Sequence, residues 1–191
     1  MNAKAIETIK NGGLVVLPTD TLYGIHASAL NQKAVEKVYQ IRGRAPTKPF
    51  IILISSIDQL KLFGIEITNI EKDILTKYWP GKVSIVLLCP NPKFEYLHRG
   101  TKSLAFRLPN KKDLTDLIDQ TGPLVSTSVN PEGKEPAKTI EEAKNYFGEK
   151  IDLYVDQGRL DSLPSTLITF ENYQIKILRQ GEVIIHPTPP R

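Results

Sequence analysis

Short apolar runs alternate along this chain with segments whose apolar residues recur at helical spacing. An uninterrupted apolar run predicts a buried strand, whereas a repeat of 3.6 residues predicts a helix with one buried face. Strands are predicted over residues 14–17, 50–54, 83–88, 103–108, 124–127, 151–155, 165–170 and 174–178. Helices are predicted over residues 2–10, 31–41, 57–63, 69–78, 111–121 and 139–148, and Asn31, Ser56 and Thr139 are placed to cap three of them.

The interleaving of these helices and strands predicts an α/β fold. Residues 171–173 predict a hairpin between the last two strands, which argues against an all-parallel sheet. We therefore expect one domain, a twisted mixed parallel and antiparallel sheet flanked by helices, which suits a length of 191 residues. This domain is expected to span residues 1–185, and a frayed proline-rich tail is expected at residues 186–191.

Composition narrows the class of protein only slightly. The chain is 40% hydrophobic and 24% charged, as soluble globular domains are, and its net charge of +4 suits an anionic ligand or RNA without requiring either. No segment approaches the roughly 18 apolar residues of a membrane span, and the N-terminus lacks an apolar core, so we expect a cytoplasmic protein. The single cysteine, Cys89, is interpreted as a buried structural thiol.

Two clusters of small hydroxyl residues each follow an apolar run. They occupy residues 18–24 and 126–131. Thr21 belongs to the first cluster, and Ser126, Ser128 and Asn130 belong to the second. Loops at strand ends bind ligands in open α/β sheets, so both clusters are candidates for holding a polar small molecule. Turn capping explains the same residue types, and the local sequence leaves that alternative open.

Several cations accompany the hydroxyl clusters. Arg42, Arg44 and Lys48 lie within seven residues in a segment broken by prolines, which is typical of a rigid anion-binding corner, although an arginine at a helix end also complements the helix dipole. Arg107 lies in an apolar strand, where it must be ion-paired or face a polar cavity. Arg179 follows an apolar strand in the same way.

Several familiar catalytic patterns are missing from the sequence. It contains no complete phosphate-binding P-loop, no G-x-G-x-x-G and no G-x-S-x-G elbow. Its histidines, His26, His98 and His186, have no second metal ligand at useful spacing, so we expect no metal site built by the protein. An enzyme with this sequence that acts on a nucleotide is not a P-loop enzyme.

Seven segments in order resemble the YrdC-like family of threonylcarbamoyl-adenylate synthases. The resemblance covers roughly residues 3 to 184, and its order is more specific than any one segment. The matching segments are Pro18-Thr19-Asp20-Thr21-Leu22-Tyr23-Gly24, Arg42-Gly43-Arg44 with Lys48-Pro49, Tyr78-Trp79-Pro80-Gly81, Ala105-Phe106-Arg107-Leu108-Pro109, Ser126-Thr127-Ser128-Val129-Asn130-Pro131-Glu132-Gly133, Pro164-Ser165-Thr166-Leu167-Ile168 and Leu178-Arg179-Gln180-Gly181.

The resemblance implies a nucleotidyltransferase that condenses L-threonine, bicarbonate and ATP to threonylcarbamoyl-AMP and pyrophosphate. Magnesium would be carried by the ATP, which is a substrate. A downstream tRNA threonylcarbamoyl-transferase complex would then modify the adenosine beside the anticodon, and the protein itself would bind tRNA weakly. The resemblance also implies a large concave basic face on the sheet and a short, single-domain form.

Site residues carry over position by position from this resemblance. The family's K-x-R and S-x-N motifs fall on two pairs of residues that would bind the ATP phosphates and the reacting carboxy group and act in catalysis: Arg42, Arg44, Ser128 and Asn130. Further nucleotide contacts would come from Lys48, Ser103 and Arg179. Threonine would be held by Thr21, Arg107, Ser126 and Ser165.

The sequence departs from the family pattern at several of these positions. Arg42 stands where the family has lysine, which changes the geometry at the phosphate but not the charge. Other departures are Ala45 for proline, Leu53 for a histidine, Ala137 for a serine and Val129 for a smaller residue. They imply a reduced rate or an altered amino-acid preference.

Two other functions compete with the synthase. One is a non-catalytic RNA-binding module on the same fold, which would use the same cations but has no need of convergent hydroxyls. Aromatic residues make up only 7% of the chain, and no aromatic-basic interleaving is present. The other is a carbamoyl-transfer domain of the kind found in hydrogenase maturation proteins, whose acylphosphatase and zinc-finger-like segments are missing from this sequence.

Overall fold

The computed structural model describes residues 3–43, 45, 47–171 and 174–186. Within these ranges a single mixed sheet is flanked by helices, so the predicted fold class is confirmed. The strands are β1 (Val15–Pro18), β2 (Tyr23–Ser28), β3 (Ile51–Leu53), β4 (Val83–Leu88), β5 (Ser103–Arg107), β6 (Leu124–Ser128), β7 (Leu153–Tyr154), β8 (Thr166–Glu171) and β9 (Gln174–Arg179). The α-helices are α1 (Ala3–Lys10), α2 (Gln32–Arg42), α3 (Asn69–Tyr78), α4 (Glu95–His98), α5 (Lys112–Thr121) and α6 (Ile140–Phe147).

The strands lie in the order β7-β1-β2-β6-β3-β5-β4-β8-β9. Three neighbouring pairs are parallel, namely β7 with β1, β3 with β5 and β4 with β8. The other neighbours are antiparallel. The centre of the sheet therefore joins strands that are distant in sequence, and β6 lies between β2 and β3.

Helices cover the two faces of the sheet unequally. The larger core packs α2, α3, α4 and α6 on one face, against strand residues such as Val16, Ile52 and Phe106. The alternate strand residues point to the other face, where α1 and α5 cover Val15 and Leu53. Because α1 and α5 pack over only part of that second face, the remainder is available for a cavity.

Strand β2 is absent from the sequence-based prediction, which was wrong at residues 23–28. The segment reads Tyr23-Gly24-Ile25-His26-Ala27-Ser28 and shows neither a continuous apolar run nor regular alternation, because it is buried on both faces. It pairs antiparallel with β1, so the first hydroxyl cluster lies in a hairpin connection instead of a loop between a strand and a helix.

Other elements differ from the prediction in detail. Residues 57–63 form a 3-10 helix, and the Ser56 side chain makes no capping hydrogen bond to it. Asn31 and Thr139 do cap their helices, and α3 has the predicted bounds with Thr68 as its cap. Cys89 is fully buried, as expected, and burial raises the pKa of its thiol.

The hairpin predicted at the end of the chain is confirmed by the antiparallel pairing of β8 with β9. Two residues of its turn, at 172 and 173, lie outside the described residues, as do residues 187–191 of the predicted tail. No helix in the described part of the chain has the length and apolar character needed to cross a membrane.

Candidate functional site

A cavity of about 180 Å³ opens on the second face of the sheet, beyond the area that α1 and α5 cover. Both hydroxyl clusters line it, although they are more than a hundred residues apart in sequence. Apolar walls come from Phe50, Ile51, Ala105 and Leu167. Six of the predicted site residues also line the cavity: Thr21, Arg107, Ser126, Ser128, Ser165 and Arg179.

Strand register explains why these residues meet. Ser126 on β6 pairs with Ile51 on β3, and Ile51 pairs in turn with Ala105 on β5. Paired residues point to the same face of a sheet, and every second residue along a strand does so too. Ser128 and Arg107, each two residues further along its strand, therefore face the same cavity.

Arg107 is the buried cation at the floor of the cavity. Its side chain is 5% exposed and forms an ion pair with Asp20, whose side chain is 8% exposed. Its Nη1 donates to Thr21 Oγ1 at 3.1 Å, and its Nε donates to the carbonyl of Gly81 at 3.2 Å. Burial lowers the pKa of the Arg107 guanidinium, and the Asp20 carboxylate opposes this shift. Both sequence-based alternatives hold, because Arg107 is ion-paired and also lines the cavity.

Ser165 and Arg179 form the opposite wall. Arg179 Nη2 donates to the Ser165 carbonyl at 2.8 Å and lies 3.4 Å from Ser165 Oγ. The Ser165 hydroxyl is 2.8 Å from that of Ser84, a buried residue of β4. Gly181 allows this packing, because a Cβ there would lie 2.2 Å from the Pro164 carbonyl oxygen. The residues assigned to threonine and to nucleotide thus adjoin each other.

Arg42 joins the cationic segment to the second hydroxyl cluster. Its side chain is buried, and Nη1 donates to the Ser128 carbonyl at 2.9 Å, to Asn130 Oδ1 at 2.5 Å and to the Asn130 carbonyl. The Asn130 amide in turn donates to the Lys134 carbonyl at 2.6 Å. Neither Arg42 nor Asn130 lines the cavity. Their described contacts instead fix residues 128–134, the end of β6 and the segment after it, which we call the β6 loop.

We expect Arg42→Lys to cost less than about 1 kcal/mol of unfolding free energy, and Arg42→Met to cost about 2–3 kcal/mol. The contacts above converge on one nitrogen, so an ammonium with its own N–H groups can replace them, whereas methionine leaves buried carbonyls without a donor. Urea unfolding of both variants tests this. Equal losses would contradict it and would mean that the planar guanidinium itself is required.

Two further predicted residues, Lys48 and Ser103, are described but do not line the cavity. Lys48 is exposed and forms an ion pair of 2.8 Å with Glu132, which also accepts from the backbone N–H of Ala45 at 3.0 Å. Ser103 starts β5 on the same face as Ala105, and its hydroxyl is 3.4 Å from Thr101 Oγ1. Arg44 lies outside the described residues.

Three departures from the family pattern are buried. Leu53 packs beneath α1 and α5, and Val129 and Ala137 pack in the larger core, where the Ala137 N–H donates to the Val129 carbonyl at 2.9 Å. None of the three lines the cavity. These three residues therefore cannot change the amino-acid preference by touching a ligand in the cavity.

Sequence reasoning missed several residues that shape the site. The sequence left Asp20 open between a ligand-binding loop and a turn cap, but it is the buried partner of Arg107. Ser84 and Glu132 were not selected, since a serine in a strand and a glutamate in a loop carry no signal by themselves. His26 was considered only as a metal ligand, yet it is buried beside the cavity floor. An arginine in an apolar strand needs a carboxylate partner if it is buried. Of these residues, only Asp20 could therefore have been found from the sequence, as a partner for Arg107.

Comparison with known proteins gives concordant matches. A model of the Sua5, YciO and YrdC family, described as telomere recombination, matches residues 7–181. The threonylcarbamoyl-AMP synthase of Marinobacter nauticus is 32% identical over 80% of this chain and 82% of its own length. That of Pyrococcus abyssi is 31% identical over 94% of this chain, but this chain spans only 57% of the archaeal protein.

A solved structure agrees with these matches. The crystal structure of P. abyssi Sua5 complexed with L-threonine superposes with a TM-score of 0.86 at 29% identity, covering 93% of this chain and 53% of the other. The family model matches residues 7–181, and the structural match covers 93% of this chain. This chain therefore belongs to the Sua5/YciO/YrdC family.

Proposed function

We propose that this protein is a threonylcarbamoyl-AMP synthase, which condenses L-threonine, bicarbonate and ATP with release of pyrophosphate. The observation that carries this proposal is the convergence of Thr21, Ser126, Ser165 and Arg107 on one cavity. The names of the relatives and the threonine bound to P. abyssi Sua5 support the same activity. The proposal concerns only the part of P. abyssi Sua5 that this chain matches, and it assigns no role to the rest of that protein.

In this proposal the amino acid occupies the hydroxyl-lined cavity. A guanidinium suits a carboxylate because its N–H groups match the two oxygens. Arg107 uses three of its five N–H groups on Asp20, Thr21 and Gly81, which holds the fork rigid against the cavity. Ser126 and Ser165 would contact the amino and hydroxyl groups.

ATP would lie along the adjoining part of the same face. Arg179 and Ser128 line the cavity and would contact its phosphates, while Arg42 and Asn130 hold the loop that carries Ser128. Arg44, Lys48 and Ser103 are proposed as further nucleotide contacts. We propose that magnesium arrives with the ATP phosphates, whose oxygens it would bind. The described residues include no group of three or more His, Cys, Asp or Glu arranged to hold a metal ion.

The reaction then needs positioning more than covalent help from the protein. The neutral threonine amine attacks the carbon of bicarbonate, loses a proton and expels hydroxide, which leave together as water. With dissolved carbon dioxide the amine loses only a proton, and either route forms an N–C bond and a carbamate. A carbamate oxygen attacks the α-phosphorus, and the bond to the leaving pyrophosphate breaks. Fixed cations stabilise the charge that develops on the phosphates, which is the main catalytic contribution expected of a site rich in arginine and hydroxyl groups.

Pyrophosphate release from ATP tests the proposal. We expect release by the purified protein that requires both L-threonine and bicarbonate, in a buffer containing magnesium. Arg44→Ala is expected to lower the rate by about a hundredfold, the usual cost of losing one charge-stabilising contact. Arg159→Ala, which removes an exposed arginine, is the matched control and should keep the normal rate. Normal synthesis by Arg44→Ala would remove Arg44 from the proposed machinery.

The RNA-binding alternative is not favoured by the cavity or by the relatives. It predicts salt-dependent RNA affinity with no nucleotide turnover. A protein that binds RNA and releases no pyrophosphate under any of these conditions would favour that alternative over the synthase.

The product also implies the next step. Threonylcarbamoyl-AMP is a reactive mixed anhydride, so we propose that a tRNA threonylcarbamoyl-transferase complex consumes it in the cytoplasm. We also propose weak tRNA binding to a basic surface around Arg179.

A further inference from the structure

His26 is a fully buried histidine beside the proposed threonine cavity. It lies on β2, directly opposite Ser126 on β6, and both side chains point to the face that carries the cavity. The imidazole lies along the strand against Gly24, because a Cβ on Gly24 would be 2.6 Å from His26 Nε2. Gly24 and Ser126 both line the cavity, so the imidazole lies directly behind two residues of the cavity wall without lining it itself.

The imidazole has no hydrogen-bond partner among the described residues. Neither Nδ1 nor Nε2 has one, although the ring is entirely inaccessible to solvent. The carbonyls of Leu17 and Val125 lie close enough to favour an N–H on the ring. A buried polar group without a partner is unfavourable and calls for an explanation.

The Ser126 hydroxyl is the polar group best placed to satisfy this imidazole. A Cβ built on Gly24 would lie 3.2 Å from Ser126 Oγ and 2.6 Å from His26 Nε2, so both polar groups border the same small space above Gly24. Directly opposed residues on antiparallel strands have Cβ atoms about 4.5–5.5 Å apart, which a serine and a histidine can bridge by rotation of their side chains. Ser126 Oγ has no other hydrogen bond within the described ranges, so rotation breaks no existing contact.

Burial keeps His26 neutral. Desolvation of the ring lowers the pKa of His26 to about 4, and the positive charge of Arg107 acts in the same direction. Asp20 is committed to Arg107 by their ion pair. At neutral pH the imidazole therefore offers one acceptor nitrogen and one N–H donor.

We propose that His26 is a positioning residue that orients the Ser126 hydroxyl and thereby sets the affinity of the cavity for its amino acid. The Ser126 hydroxyl donates to the unprotonated ring nitrogen and turns its oxygen toward the cavity as an acceptor. That acceptor selects a ligand with an N–H or O–H group at this point. The inference rests on the proposed function, because the ligand is taken to be L-threonine.

A double-mutant cycle on L-threonine binding tests the inference by calorimetry. His26→Leu and Ser126→Ala should each weaken binding by about three- to tenfold, the value of one neutral hydrogen bond. The double variant should bind no more weakly than Ser126→Ala alone, because His26 acts through that hydroxyl. His26→Gln, whose Oε1 can accept from the Ser126 hydroxyl in place of the ring nitrogen, should bind within about twofold of wild type.

The control is His98→Leu, since His98 is also buried with an unpartnered Nε2 but lies on α4 and not opposite a cavity-lining serine, so the threonine affinity of this variant should stay normal. In turnover, His26→Leu should raise KM for threonine and leave kcat and KM for ATP unchanged. A spectrum of the 15N-labelled imidazoles of the wild-type protein needs no variant to fold. His26 signals should shift on addition of threonine and not on addition of ATP.

Three results would overturn the positioning role: normal threonine affinity in folded His26→Leu, additive losses in the double variant, or His26 signals that ignore threonine. A wild-type protein that binds no threonine and releases no pyrophosphate would instead overturn the proposed function. Pyrophosphate release with normal threonine affinity in His26→Leu would leave the function intact and reject the inference alone.

Discussion

Replacing Arg107 with methionine is expected to lower the free energy of unfolding by about 3–5 kcal/mol and to abolish threonine binding. The substitution leaves the Asp20 carboxylate with 8% side-chain exposure and without its cation. Breaking a buried ion pair by removing one partner is costly because the remaining charge is neither solvated nor paired. Thr21 and the Gly81 carbonyl also lose their donor. Urea unfolding measures the stability loss, and calorimetry measures the binding loss.

Two further variants separate the causes of this effect. Arg107→Met combined with Asp20→Asn should recover part of the stability, since no buried charge is left unpaired, but should not recover threonine binding. Lys112→Met removes one side of the exposed ion pair with Asp116 and should cost less than about 1 kcal/mol. An Arg107→Met loss as small as that of Lys112→Met would contradict the buried geometry.

Acidification from pH 7 to pH 4 is expected to cost about 3 kcal/mol of folding stability through His26 alone. The folded-state pKa of His26 is about 4, against 6.5 in the unfolded chain. Between these values the unfolded state binds a proton that the folded state does not, so stability is fully present above pH 6.5 and is lost as the pH falls toward 4. The cause is desolvation of the ring, with the neighbouring charge of Arg107 acting in the same direction.

The measurement is urea unfolding at several pH values between 4 and 7. The carboxylates of the protein add their own acid sensitivity, so the quantity of interest is the difference between wild type and His26→Leu. Between pH 7 and pH 4 the unfolding free energy of that variant should fall by about 3 kcal/mol less than that of wild type. His98→Leu retains His26 and should keep the wild-type slope. Parallel pH profiles for wild type and His26→Leu would show that His26 is not held neutral by burial.

Local sequence predicted most of the secondary structure because most strands are continuous apolar runs. The run at 83–88 became β4 with the predicted bounds, and α3 likewise has its predicted bounds because a capping box at Thr68 starts it. Strand β2 was missed, since Gly24 and His26 interrupt any apolar pattern. Its strand character comes from antiparallel pairing on both sides, with β1 and β6, which is a property of the sheet and not of the segment.

The sequence likewise indicated some features of the candidate site and not others. The residue types pointed to a polar, anionic ligand, and six of the proposed contacts line one cavity. Three of them, Arg107, Ser126 and Ser128, meet there because β5 and β6 both pair with β3. Their roles remain a proposal, and Arg44 lies outside the described residues. No local pattern indicated that Arg42 would bind the β6 loop, because its acceptors are oxygens of Ser128 and Asn130, which follow it by more than eighty positions.

The sequence by itself determined the fold class, the hydroxyl and cationic segments and their resemblance to a synthase family, since these depend on residue order and short-range periodicity. Only the tertiary structure decided that Asp20 neutralises Arg107, that Arg42 holds a loop, and that His26 lies beneath Gly24 beside Ser126. Those facts depend on which distant strands pair and on how deeply each charge is buried. Pairing and burial follow from the packing of the whole sheet, and no single segment contains them.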